Sequence, residues 1–409
     1  MGTSLLKKVG VIPCDVRDKH FIGDVLIEGD RIKKIGRDLP ASGADQVIDL
    51  EGCTLLPGFI DLHVHLTFRR TVGPITDTLR QGDGLNIIRS VRNALTLLRQ
   101  GVTTIRETGS SNNISLIIRE AISRKIMPGP RMLVAGTPVT ITGGHSYTAM
   151  QCSGRDEFQK TVRTLINKGV DWVKTFGSND PLESPVDGEY TRPEVTIPEL
   201  EVVVSAARHF GRKVAVHTMG SKCIRAVAGL GVNSIEHGIY LDEEGADVMI
   251  RNNVALVPTL SGYYETTLPR WNRGEKWRQH HQNLVEPHKE SFKTALKKGV
   301  FIALGTDSAG ELLQELRLMT QYGMPVSEAL RAGTIHAATV LGLQGQIGTI
   351  EPGKIADLVA LRGDVLADLE SIRNPVCIVQ GGRVFRPGDI RLPSGDESGD
   401  SEPGAAKIT

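Results

Sequence analysis

With 409 residues and a 40% hydrophobic share, the chain exceeds one ordinary domain and can bury a sizeable core, so a large α/β unit with a smaller satellite is expected. Its 48 basic and 47 acidic side chains leave a formal charge of +1, which removes any general electrostatic attraction to nucleic acid or to an anionic membrane. Cys14, Cys53, Cys152, Cys223 and Cys377 are odd in number and far apart, which argues against a disulfide framework or a Cys-based zinc knuckle and for a reducing compartment.

Met1 to Gly10 lacks a long apolar stretch, and no run of about twenty apolar residues occurs, so neither a signal peptide nor a membrane span is expected. The location that fits is cytoplasmic, although a leader trimmed earlier would leave no trace. From Lys7 to about Leu56 the pattern is short and alternating, and Val25 to Ile32 reads as two strands around a Gly29-Asp30 turn. The same texture returns at Ala356 to Leu361 and Val376 to Phe385. Neither stretch closes a sheet well alone, so residues 1–56 and 349–386 are expected to pair into one small β-sandwich domain.

Between them, over residues 57–348, strand-like runs alternate with helical ones such as Ile197 to Phe210 and Glu286 to Lys298. Eight strand candidates can be named: Leu55–Leu66, Thr103–Ile105, Arg131–Ala135, Trp172–Thr175, Val214–His217, Ser234–His237, Ala255–Pro258 and Phe301–Asp307. That succession predicts a (β/α)8 TIM barrel, with its active site at the C-terminal strand ends. From Pro387 to Thr409 the composition turns to Gly, Ser, Asp, Glu and Pro, and this tail is expected to be disordered.

Chemistry-bearing residues recur at those strand ends. His63 and His65 are two apart, so on a strand they project from one face; Lys174, His217, His237 and Asp307 close later strands. A lone histidine at a strand exit is usually just hydrogen-bonded there, but six metal-competent groups at five strand ends point to a metal site. Lys174 is the odd member, because an ammonium repels a cation. Burial lowers its pKa, and a neutral amine can add carbon dioxide to become a carbamate able to bridge two metals. Carbamate, Asp307 and a bridging hydroxide would then offset all but one of the charges of two divalent ions, leaving one to polarise a substrate carbonyl.

Pro57 to His65, Gly101 to Arg106, Ser234 to Gly238, Leu304 to Asp307 and Gly348 to Val359 together resemble the motifs of the metal-dependent amidohydrolase superfamily. Within it the chain is similar to the imidazolonepropionase-like branch that includes Xaa-Pro and Xaa-Arg dipeptidases. The resemblance implies that His63, His65 and Asp307 hold one divalent ion, that His217 and His237 hold another, and that carboxylated Lys174 bridges them, with zinc the first expectation. It also implies that His145, in the loop after the third strand, touches the substrate carbonyl, and that Tyr263, or its neighbour Tyr264, contacts a substrate carboxylate. His217-Thr218-Met219-Gly220 lacks the Glu usual in mononuclear deaminases of the superfamily, which disfavours deamination.

The expected activity is therefore attack by metal-bound hydroxide on an amide-type carbonyl, with Asp307 moving the proton to the leaving nitrogen. Arg192, a fixed positive charge in the loop after the fourth strand, suits a substrate carboxylate, so the expected partner is a small-molecule N-acyl amino acid or dipeptide. A carbamate, urea or lactone substrate is the alternative, and a non-catalytic scaffold a remote one. Homo-oligomerisation is compatible with the sequence. His209, His280, His281, His288 and His336 are expected in surface or packing roles. Gly348 to Lys354 mimics a phosphate loop but continues with Ile355 where Ser or Thr is needed.

Overall fold

The computed structural model describes residues 2–15, 20–68, 82–144, 146, 148–179, 193–269, 275–308 and 310–393. The alternating opening forms β1 (Thr3–Val11), β2 (Phe21–Glu28) and β3 (Arg31–Gly36), with Glu28 opposite Arg31 across the expected turn. β4 (Gln46–Asp49) and β5 (Cys53–Pro57) both run parallel to β1.

The α/β part then begins. β6 (Phe59–Val64), β7 (Val102–Glu107) and β8 (Arg131–Val134) make a three-stranded parallel sheet. β9 (Val139–Ile141), β10 (Met150–Cys152), β11 (Trp172–Phe176), β12 (Lys213–Thr218), β13 (Ser234–His237) and β14 (Ala255–Val257) make a second parallel sheet, ordered β10-β9-β11-β12-β13-β14. Helices between the strands cover them with apolar faces. The helix Ile197–His209, for example, starts at a Thr196/Glu199 capping box with Pro198 in its first turn and buries Leu200, Val203, Val204 and Ala207.

A closed eight-stranded barrel is not formed among the described residues, and both seams have local causes. The third strand candidate, Arg131–Ala135, forms as β8, and the chain turns just after it, where Gly136 takes φ 68° and Pro138 has no N–H to offer; β8 pairs back with β7 while β9 pairs onward with β11. The eighth candidate makes only an isolated bridge between Leu256 and Ile302. Its Leu304 N–H goes to Ala332 O (3.0 Å), in the π-helical turn Ala332–His336, although Leu62 N–H still reaches Leu304 O (3.0 Å) and Asp307 N–H reaches His63 O (2.7 Å). Gly305 is required at this seam, since a Cβ there would lie 2.5 Å from Val257 Cγ1 and 2.8 Å from His63 Cβ.

β15 (Leu358–Arg362) returns antiparallel to β5 and continues into the hairpin of β16 (Pro375–Gln380) and β17 (Arg383–Phe385). The two ends of the chain thus meet as expected, but the anticipated sandwich is one continuous eight-stranded sheet. Leu6, Val9, Val11, Val25, Ile27, Leu55 and Leu358 form its core, separate from the core under the parallel strands. Pro387–Asp389 adds a 3-10 turn, and Ile390 packs with the larger core; residues 394–409 of the expected tail lie outside the described residues. All five cysteines are buried and none is in a disulfide, and no helix among the described residues is long and apolar enough to cross a membrane.

Candidate metal centre

His63 sits in β6 and His65 one residue past its end, so the two rings project to the same side, as period-two alternation requires. Asp307 reaches them from the eighth strand segment, and one ligand atom from each of the three falls within 4.8 Å of the others. His65 Nε2 is 3.7 Å from an Asp307 carboxylate oxygen and 3.3 Å from His63 Nε2.

The hydrogen bonds behind the rings settle their tautomers. His65 Nδ1 donates to Gly109 O (2.8 Å), and a carbonyl can only accept. His63 Nδ1 donates to the Glu236 carboxylate (2.7 Å), which already accepts from Arg106 and Ser234. Burial holds both imidazoles below their ordinary pKa, so each is neutral with its single proton on Nδ1. Two bare Nε2 atoms therefore face each other beside a carboxylate. Three electron-rich atoms this close repel unless a cation lies among them, and imidazole nitrogen with carboxylate oxygen is a donor set that zinc accepts. The residues fit a divalent ion.

The other strand-end residues stand close by. The His237 ring is 5.0 Å from that of His63 and 4.6 Å from that of His217. His237 Nδ1 donates to Thr259 Oγ1 (2.6 Å), whose own proton goes to Pro258 O, so His237 also keeps Nε2 bare. Lys174 is buried in β11; burial pulls its ammonium down to about 8 against the opposing pull of Glu236 and Asp307. For Asp307 burial acts upward, but the neighbouring His63, His65, Ser308 N–H and Lys174 bring the carboxyl net below its usual value.

Three residues around the site carry strained backbone. His237, Thr259 and Asp307 have φ of 71°, 52° and 65°, the left-handed region that non-glycine residues rarely enter. His237 is clamped from outside by His288, whose Nε2 donates to His237 O (3.1 Å) from the helix Glu275–Lys298. Asp61 secures the eighth strand end by accepting from Thr306 N (3.1 Å) and Thr306 Oγ1 (2.6 Å).

Tyr263 is buried, its ring centroid 5.3 Å from that of His237 in an edge-on arrangement, and its ring also adjoins those of His281 and His288. Tyr264 is partly buried against the larger apolar core. His145 and Arg192 lie outside the described residues. Sequence reasoning missed three supports, Arg106, Glu236 and Asp61, fully buried charged residues in strand interiors, while His288, expected in a surface or packing role, takes a packing one. Charge inside an otherwise apolar strand was the available signal for the first three.

The Amidohydrolase family model matches residues 54–384. Ochratoxinase of Aspergillus niger is 28% identical over 371 residues, which cover 81% of this chain and 75% of that protein. A solved Xaa-Pro dipeptidase with methionine bound in its active site has a TM-score of 0.84 at 27% identity, over 94% of this chain and 100% of the other. A prolidase complexed with N-methylphosphonate-L-proline has a TM-score of 0.86 at 26% identity, over 94% and 99%. The chain belongs to the amidohydrolase family, in the imidazolonepropionase-like branch that its motifs resemble, and is a hydrolase acting on carbon–nitrogen bonds. Its structural neighbours make the α/β arrangement a TIM-barrel-like fold.

The clamp on His237 has a pH signature. Burial lowers the His288 imidazole to about 4, so between its unfolded value, about 6.5, and that pH the unfolded chain takes a proton that the folded chain refuses. Stability is therefore lost as pH falls through that window. His288→Gln keeps an N–H donor without a titrating ring and is expected to flatten the decline by about 1 kcal/mol per pH unit, read from chemical denaturation at pH 4.5 to 6. Parallel curves for the two proteins would remove His288 from the acid sensitivity.

Proposed function

We propose that the chain is a binuclear-metal hydrolase that cleaves the amide or peptide bond of an N-acyl amino acid or dipeptide. The observation that carries this reading is the convergence of two bare imidazole nitrogens with Asp307, His237 standing beside them. His63, His65 and Asp307 would hold one ion, His217 and His237 the second, and carboxylated Lys174 would join them. Bound there, two zinc ions would polarise the scissile carbonyl and acidify the attacking water.

The chain's own groups supply the rest. Asp307 is held net below the usual carboxylate range, so it is ionised and ready to accept a proton. Ser308 N–H occupies Oδ1 at 2.5 Å, which leaves Oδ2 to take the proton from the attacking water and return it to the leaving nitrogen. Lys174, with its ammonium lowered to about 8, supplies a useful fraction of neutral amine near pH 7 for addition to carbon dioxide. Tyr263 adjoins His237 from outside the donor set and is assigned to the substrate, together with His145 and Arg192. Amino-acid ligands in the two dipeptidase-type relatives, methionine in one and an L-proline derivative in the other, support a substrate with a free carboxylate.

Three measurements test the reading. Lys174→Ala is expected to hold fewer than two zinc ions and to lose most activity, with partial rescue by added acetate or formate; an alanine variant with full zinc and full turnover would remove the bridge. Asp307→Asn keeps the shape but not the base, so kcat should fall by at least about a hundredfold, and near-normal turnover at neutral pH would take Asp307 out of the proton path. For any good N-acyl amino acid or dipeptide substrate, replacing the free carboxylate by its amide should lower kcat/KM strongly, and Arg192→Met or Tyr263→Phe should shrink that difference. Equal rates for acid and amide would refute the carboxylate pocket and favour a carbamate, urea or lactone substrate.

A further inference from the structure

We propose that Glu236, held in place by Arg106, is a positioning residue that fixes the ring of His63 in the tautomer able to bind metal and so sets the metal affinity of the site. The inference rests on the metal reading above and deepens it. Glu236 and Arg106 are both fully buried. Glu236 Oε2 accepts from His63 Nδ1 at 2.7 Å and from Arg106 Nη2 at 2.8 Å, while Oε1 accepts from Arg106 Nη2 at 2.8 Å and Ser234 Oγ at 2.5 Å. Arg106 also donates to Leu62 O (Nε, 2.5 Å) and Ser234 Oγ (Nη1, 2.8 Å), and its guanidinium lies 4.5 Å over the Trp172 ring. One closed set of contacts thus joins β6, β7, β11 and β13 behind a single imidazole.

The chemistry of that set is directional. A neutral imidazole has one proton, and the nitrogen that lacks it is the one that binds metal. An acceptor surrounded by other donors cannot give a proton to Nδ1, so the His63 proton must sit on Nδ1 and the lone pair on Nε2. A hydroxyl or water in the same place could either donate or accept and would leave both tautomers open. A carboxylate partner also raises the basicity of the ligating nitrogen, which the carbonyl behind His65 does less strongly. Arg106 makes this possible, because a buried carboxylate without a paired cation is expelled or protonated.

Glu236→Gln alone would strand the Arg106 guanidinium, so the test uses two matched double variants. Arg106→Met with Glu236→Gln removes both charges but keeps an oxygen acceptor for Nδ1; Arg106→Met with Glu236→Met removes the acceptor as well. Zinc affinity is measured by competition with a chromophoric chelator, alongside melting temperature and the visible spectrum of the cobalt-loaded proteins. The Met/Met variant is expected to bind zinc about 10–100-fold more weakly than the Met/Gln variant, with similar melting temperatures for the metal-free proteins and an altered cobalt spectrum. Equal zinc affinities would overturn the positioning role while leaving the metal site intact; a wild-type protein that binds no zinc would instead overturn the metal reading. A third observation needs no variant: in nitrogen-resolved NMR of the metal-free wild type, His63 should be protonated at Nδ1 and bare at Nε2, and the opposite tautomer would refute the assignment.

Discussion

Two imidazole nitrogens without protons and a carboxylate are held within 4.8 Å of one another, with His63 buried and His65 and Asp307 partly buried, an arrangement that repels itself. In water each group would turn away or take up a proton. Here each is gripped from behind: His63 by Glu236, His65 by the Gly109 carbonyl, and Asp307 by Ser308 N–H and by its own N–H bonded to His63 O. Much of the architecture around the strand ends serves that grip. Burial keeps the imidazoles neutral, and the hydrogen bonds decide which nitrogen is bare.

The grip extends into the helical layer. Left-handed backbone at His237, Thr259 and Asp307 costs about 1–3 kcal/mol at each residue, and it persists only where surrounding contacts determine it. His288 takes the carbonyl of His237, Asp61 takes the N–H and hydroxyl of Thr306, and Glu315 takes the N–H groups of Leu260 and Ser261 just after Thr259. Glu315 belongs to the helix Leu312–Gln321 and His288 to the helix Glu275–Lys298, so these helices do more than cover apolar strand faces. They terminate backbone donors and acceptors that the parallel sheets leave open. The π-helical turn at Ala332 does the same for Leu304.

How much of this was legible in the sequence divides along locality. The pair His63 and His65 follows from period-two alternation, and Lys174, His217, His237 and Asp307 were picked out because each lies in or closes a strand-like apolar run. The joining of the two chain ends was legible because neither half could satisfy its own sheet. What failed was non-local. One exception is β9 and β10, which follow the third strand candidate and are three residues each, too short for a periodic signal. Glu236 stands next to a histidine in a motif, yet Arg106 and His63, which it joins, are 130 and 173 residues away. No spacing rule reaches that far. His288 sits in a charged helical stretch where a surface or a packing role is equally readable, and only the folded contacts with Tyr263 and the His237 carbonyl decide between them.

The Arg106–Glu236 pair is not well explained as a source of stability. Taking both charges out of water costs several kcal/mol per ion, and well-packed apolar residues of similar volume often leave a protein as stable or more so. Apolar side chains could pack on Trp172 in place of the guanidinium. They could not accept a proton from His63 Nδ1, and the ring would then be free to take the other tautomer or to turn. Ligand binding to the folded state alone offsets such a cost by mass action, since an ion bound far above its dissociation constant adds stability that the unfolded chain lacks. On the metal reading proposed above, the buried ion pair is accounted for by the direction it imposes on one imidazole, and the free energy of metal binding would compensate for the desolvation that the pair entails.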